Sequence, residues 1–127
     1  MPKVTQLVLS LESKPGVLAK VARTLADAGV NIDALSVPEA AGRGKIRMVV
    51  SDPERGTAAL RRAKYRPTEE TALSLTLENH PGALAAVADK LAGAKVNIKS
   101  IYATTGAGTA TVVLTVSNVD KAQSALG

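Results

Sequence analysis

Lys14-Pro15-Gly16-Val17-Leu18-Ala19, followed by Val30-Asn31-Ile32, is the stretch on which the reading of this chain turns. It occurs twice, because His80-Pro81-Gly82-Ala83-Leu84-Ala85 leads with the same spacing to Val96-Asn97-Ile98. Outward from it, residues 4 to 60 align with residues 70 to 126 at a constant shift of 66 without a gap, and 23 of the 57 pairs are identical. A fixed internal period of this kind marks a duplicated structural unit and settles the architecture before any single residue is interpreted. Each unit has about 60 residues, a size that is marginal as an independent core.

The pattern inside the repeat alternates strand and helix signals. Leu7, Leu9 and Leu11 recur at period two, as do Leu73, Leu75 and Leu77, which predicts a strand with one buried face. After the Pro-Gly turn, Leu18, Val21, Ala22, Leu25 and Ala28 form a helical apolar stripe, matched by Leu84, Val87, Ala88, Leu91 and Ala94. Pro15 and Pro81 suit the first helical position, where a missing N–H is harmless. Gly29 suits a left-handed residue closing the helix, whereas its counterpart Lys95 must either adopt positive φ at a cost or turn differently. Residues 30 to 37 predict a second strand. The glycines at 42 and 44, and at 106 and 108, predict hairpins into strands carrying Ile46, Met48 and Val50, or Val112, Leu114 and Val116. Asp52 and Asn118 are placed to cap a second, shorter helix.

Each unit thus reads βαββα with a possible last strand, which in the first copy lies near residues 61 to 69, interrupted by Pro67. The second copy stops at Gly127, the counterpart of Arg61, so we expect it to lack that strand and to leave a sheet edge uncovered or completed by another chain. The expected fold class is α+β, two ferredoxin-like βαββαβ units in tandem at 4–67 and 70–127, with antiparallel sheets and helices on one face.

Composition removes several functions. The chain has 127 residues, 46% hydrophobic and 21% charged, with no Cys, Phe or Trp and with Tyr65 and Tyr102 as the aromatics. Without cysteine there are no disulfides or thiolate chemistry, which fits a cytoplasmic protein. No apolar run approaches the roughly 20 residues of a membrane span. The net charge of +5 is carried in part by Arg61, Arg62, Lys64 and Arg66, a run that reads as a solvated surface. The strands lack paired aromatics for stacking on bases, so we expect no nucleic-acid partner. His80 is the one histidine, too few for an ordinary metal site, and no cofactor is called for. Gly42-Arg43-Gly44 and Gly106-Ala107-Gly108 lead into strands rather than helices, which argues against a phosphate cradle. An enzyme on the same scaffold would need a nucleophile or acid–base pair that the chain does not offer.

The Leu-rich strand, the Pro-Gly turn into a helix of the form LAxVAxxLAxAxVNI and the glycine-containing hairpin together resemble the ACT domain. The resemblance covers nearly the whole chain twice and is similar to short stand-alone tandem ACT proteins, with no catalytic domain attached. It implies a non-catalytic, allosteric regulatory protein that binds a free amino acid between ACT units, with the strand-to-helix loop of one unit facing the second strand of another. The family often carries Asp or Asn two residues before the Pro. Asn79 matches this and Ser13 does not. Asn31-Ile32 and Asn97-Ile98 match the segment that commonly completes the pocket.

Amides at Gly16, Val17 and Leu18, and at Gly82, Ala83 and Leu84, lie at predicted helix N-termini, where free donors and the helix dipole favour a carboxylate. Facing units would bring loop 79–84 to strand 31–33, and loop 13–18 to strand 97–99. The first pairing brings Asn79, Asn31 and Asp33 toward an ammonium group, with His80 in the same loop. The second offers Lys14, Lys99 and Ser13, a basic set suited to anions, with Asn97 in the facing segment. Structural readings stand beside these: the Pro-Gly pairs as ordinary turns, the asparagines as strand caps, Lys14 as a solvated charge. The competing function is a ligand-free dimerising interaction module that contacts a metabolic enzyme or transporter. Under either reading a homodimer is expected.

Overall fold

The computed structural model describes residues 2–127. They group into two compact units: a first of Thr5–Glu70, and a second of Thr71–Gly127 joined by the segment that ends at Val4. Both are α+β, with antiparallel strands and two helices packed on one sheet face.

In the first unit the chain runs β1 (Lys3–Glu12), α1 (Val17–Asp27), β2 (Ile32–Ser36), β3 (Glu39–Ala40), β4 (Arg43–Val50) and α2 (Pro53–Arg62). Strand β4 is central between β2 and β1. Its register with β1 sets Leu7 beside Met48 and Leu9 beside Ile46, so the period-two leucines and the apolar positions of β4 share a face. Onto it α1 lowers Val21 and Leu25, one turn apart. With Val30, Val50 and Leu60 these residues form one fully packed core. A register shift between Ile32 and Ala34 offsets the start of β2 from β4.

The second unit repeats the plan with β5 (Thr68–Glu78), α3 (Ala83–Gly93), β6 (Ile98–Thr105), β7 (Thr109–Val116) and α4 (Val119–Leu126). Leu73 faces Leu114 and Leu75 faces Val112 across β5 and β7. The shift between Ile98 and Ser100 on β6 reproduces that of β2. Leu73, Leu75, Val87, Leu91, Val112 and Leu114 are central to its core. The short β3 has no counterpart here, and β6 is correspondingly longer.

Asp52 and Asn118 cap α2 and α4 as the sequence predicts, accepting from Arg55 N and Lys121 N at 3.1 and 3.0 Å. Helix α1 ends at a left-handed Gly29 with φ 74°, and α3 ends in the same way at Lys95 with φ 59°. The hydrogen bonds agree as well: Val30 N donates to Leu25 O and Val96 N to Leu91 O, both at 2.9 Å. Lys95 therefore keeps the turn and bears the cost of a Cβ crowded against the following carbonyl.

Two expectations change. Pro15 and Pro81 are not the first helical residues. The helices begin at Val17 and Ala83, and the residues before them, Gly16 and Gly82, have φ of 90° and 89°. The last-strand position is also resolved differently in the two units. In the first it is taken by Thr68–Glu70, held where Thr57 Oγ1 donates to Glu69 and Gln6 Nε2 donates to Glu70, each at 3.4 Å. Arg47 adds an ion pair to Glu70 at 3.4 Å. The second unit carries α4 as far as Leu126. Its edge is not simply open, however: Ser74 N donates to Pro2 O at 3.2 Å, and Lys3 pairs with Asp120 at 3.5 Å.

Candidate functional site

The two Pro-Gly loops are built alike. Val17 N turns back to Lys14 O at 3.3 Å and Ala83 N to His80 O at 3.2 Å, so these two amides are engaged within the loop rather than free as expected. The amides of Gly16 and Leu18, and of Gly82 and Leu84, have no backbone acceptor among the described residues. Glycine is required by its conformation and not by crowding, since a Cβ at Gly16 or Gly82 would meet nothing within 4 Å. The far side of each loop is tied to the hairpin: Ser13 N donates to Gly42 O at 2.8 Å and Asn79 N to Gly108 O at 3.1 Å.

The helix starts differ in a consistent way. Helices α2 and α4 carry a side-chain cap and an acidic residue, Glu54 or Asp120, in the first turn. Helices α1 and α3 have neither. Their positive ends are left uncompensated at the two places where the repeat is best kept, an arrangement that favours an external anion. The basic residue of each loop leans on the glutamate two positions earlier. Lys14 Nζ lies 3.4 Å from Glu12, and His80 Nε2 lies 3.6 Å from Glu78, while His80 Nδ1 donates to Pro81 O at 3.0 Å. All four side chains are exposed, so these pairs shape the loops more than they stabilise them.

Beneath the first loop a cavity of about 90 Å³ is walled by Leu11, Val17, Leu18, Val37 and Ile46, with Ser13 and Lys14 at its mouth. Its lining suits a few apolar carbons. The equivalent positions in the second unit, Leu77, Ala83, Leu84, Ala103 and Val112, include smaller residues, and Leu84 is 49% exposed.

Asn31 and Asn97 stand at the other end of their helices. Each exchanges two hydrogen bonds with a serine: Asn31 N to Ser51 Oγ and Ser51 N to Asn31 O, then Asn97 N to Ser117 Oγ and Ser117 N to Asn97 O, all at 2.9 Å. This is the strand-capping role, and the serines that perform it were not singled out from the sequence, although positions 51 and 117 are identical across the repeat. Only in the first unit does the side chain find a carboxylate, Asn31 Nδ2 donating to Asp33 Oδ1 at 2.7 Å. Lys99 stands at the corresponding position in the second. Ile32 and Ile98, next in each segment, are half-buried and pack on their own cores. Helix α1, with 11 residues, is about 16 Å long at 1.5 Å per residue. A unit's own loop, Lys14 to Leu18 or Asn79 to Leu84, therefore does not meet its own Asn31–Asp33 or Asn97–Ile98 segment.

Among the described residues no three His, Asp, Glu or Cys side chains cluster in a way that would hold a metal ion, and no helix is long and apolar enough to cross a membrane.

The family model of the ACT domain pair matches residues 2–126. In three dimensions the chain is similar to protein BT0572 from Bacteroides thetaiotaomicron, with 34% identity and a TM-score of 0.93 over 98% of this chain and 86% of that one. It also resembles the ligand-free regulatory subunit of aspartate kinase from Thermus thermophilus, with 18% identity and a TM-score of 0.71 over 99% and 93% of the two chains. The regulatory subunit of aspartate kinase from Thermus flavus matches at 18% identity and a TM-score of 0.71, over 98% and 88%. At these lower identities the likeness is one of fold. No curated protein matches the chain in sequence.

Proposed function

This chain belongs to the ACT domain-pair family, and we propose that it is a non-catalytic, cytoplasmic regulatory protein whose Pro-Gly loops bind a free amino acid between ACT units. The observation that carries this reading is the pair of uncapped helix starts. Where α2 and α4 neutralise their positive ends with their own side chains, α1 and α3 leave theirs to solvent beside Gly16 and Gly82. A carboxylate is the natural occupant of such a position. In the second loop Asn79 supplies a carbonyl for the ammonium group, with His80, Gly82, Ala83 and Leu84 around it. The Asn31, Ile32 and Asp33 segment of a facing unit adds a carboxylate. The loop formed by Lys14, Gly16, Val17 and Leu18, facing Asn97 and Ile98, is the more basic of the two and the weaker amino-acid site.

Thermal melting of the chain with each of the twenty amino acids at millimolar concentration tests the proposal. A ligand present at ten times its Kd stabilises the native state by about 1.4 kcal/mol, which raises the melting temperature measurably. Gly82→Ala is expected to remove most of that rise. The absence of any rise with all twenty would overturn the reading.

A second reading, a dimerising module that contacts a metabolic enzyme or transporter without a ligand, is favoured by one observation. Among the described residues the strands β2 and β6 are each paired on one side only, by β4 or β7, and each exposes a large apolar residue, Leu35 at 38% and Ile101 at 41%. Such strands invite pairing with another copy. Self-association belongs to both readings, so sedimentation of a monodisperse monomer would count against both, whereas the amino-acid screen separates them.

A further inference from the structure

Identical residues in the two units are not equally covered. In the first unit the chain leaves α2 through Ala63 and a left-handed Lys64 with φ 73°. Tyr65 N donates to Leu60 O at 2.9 Å, and the Tyr65 ring packs against the core. It shares a surface depression with Lys20 and Thr24 of α1, and Pro67 is buried behind it. Under this cover Leu60 and Val21 have no exposure. In the second unit the described chain lines that surface with Pro2, whose carbonyl accepts from Ser74 N at 3.2 Å, and with no tyrosine. The matching surface is a groove of about 520 Å³ between β5, α3 and the end of α4, floored by Leu75, Val87 and Leu126. Val87 is 8% exposed where Val21 is 0%, and Leu126 is half-buried where Leu60 is sealed.

The covered copy shows which chemistry fits: an extended segment with an aromatic ring laid on the leucines. The walls show how the uncovered copy differs. Ala86 replaces Lys20 and widens the groove, and Lys90 replaces Thr24 and brings an ammonium group to its rim. Lys90 has no ion-pair partner among the described residues, whereas the neighbouring His80 Nε2 lies 3.6 Å from Glu78. The volume lies within the range of ligand pockets. We infer that this groove docks an extended segment of a partner polypeptide, with an aromatic side chain seated on Leu75, Val87 and Leu126 and an acidic residue meeting Lys90. Aromatic anchors in apolar grooves carry most of the energy of such contacts, and the charge pair sets register and selectivity. The groove shares His80 and Ala83 with the second Pro-Gly loop, but the docking rests on Leu75, Val87, Lys90 and Leu126 and not on amino-acid binding there.

Two nine-residue peptides serve as probes: the chain's own segment Arg62–Glu70, and the same segment carrying Lys64→Asp and Arg66→Asp. Each is titrated into the intact chain and followed by amide chemical shifts. The acidic peptide is expected to shift Ala86, Val87, Lys90 and Leu126 saturably, and to bind at least tenfold more tightly than the basic one. Its Tyr65→Ala version should not bind. In the protein, Lys90→Glu should abolish the preference for the acidic peptide, and Ala86→Trp should block the groove while leaving the melting curve intact. A covalent version guards against weak binding in trans: Arg62–Glu70 fused after Gly127 should raise the melting temperature by several degrees, and Tyr65→Ala within the fused copy should remove the gain. No saturable shift together with no gain from the fusion overturns the inference. So does binding indifferent to Ala86→Trp, equally tight binding of 4-hydroxyphenylacetate, or groove shifts that appear with protein concentration alone and so point to a second copy.

Discussion

The loops at Gly16 and Gly82 have nearly superimposable backbones, with φ and ψ of 90° and −11° in one and 89° and −10° in the other, yet the surfaces beside them differ. Beside the first lies a small apolar cavity and a core sealed by Tyr65. Beside the second lies a wide groove over the same leucines. The conserved backbone comes from identical local sequence, whereas the difference arises from chain that packs on each unit from outside the repeat. A duplicated sequence therefore yields duplicated local geometry without duplicated sites.

The sharpest way to break this comparison is to truncate the paired leucines. Leu60→Ala, at a sealed position, is expected to cost about 3 kcal/mol, and Leu126→Ala, beside the groove, about half of that. Urea denaturation of both variants measures the difference. Equal losses would show that the groove is covered in solution.

The loop backbones provide the next largest effect. Gly16→Ala and Gly82→Ala each place a Cβ at positive φ and should each destabilise by about 1–2 kcal/mol. Their stability losses should match, because the backbones match, while their effects on amino-acid binding should not, since Asn79 is present in only one loop. A Gly16→Ala variant that lost ligand binding as completely as Gly82→Ala would remove the asymmetry.

The helix ends make a smaller comparison. Lys95→Gly should stabilise the chain by about 1 kcal/mol by relieving the left-handed lysine, and Gly29→Lys should destabilise it by a similar amount. Thermal unfolding of the pair tests both signs at once. Smaller still, Ser51→Ala and Ser117→Ala each delete one hydrogen bond to an asparagine amide and should each cost about 1 kcal/mol or less. Replacing Glu12 or Glu78 by Gln should change stability by less than about 0.5 kcal/mol, since their contacts with Lys14 and His80 are exposed.

Much of this was legible in the residues. The constant shift of 66 gave two units, the leucines at 7, 9 and 11 gave β1, the stripe at Val21 and Leu25 gave α1, and Asp52 and Asn118 marked the caps of α2 and α4. The helix start was misread by two residues because Pro-Gly fits two local geometries. Only the bond from Lys20 N to Gly16 O, at 3.1 Å, shows that glycine occupies the cap. The amides of Val17 and Ala83 appeared free for the same reason. The asparagines at 31 and 97 were recognised, but not their serine partners, which lie 20 residues away. Identity of Ser51 with Ser117, of Glu12 with Glu78 and of Gly42 with Gly108 was the available signal for these contacts.

The sequence by itself determined the duplication, the order of strands and helices in each unit, the apolar faces and the positions of the two glycine turns. These follow from periodicity and local backbone preference, which act over a few residues and are therefore repeated wherever the residues are repeated. Tertiary structure alone decided which copy of the core is sealed and which is left as a groove, and where the last-strand position of each unit finds its residues. Those outcomes depend on where distant segments, Tyr65 and Pro67 in one unit and Pro2 to Val4 in the other, come to rest. Burial is set by contacts between residues far apart in the chain, and no local pattern records them.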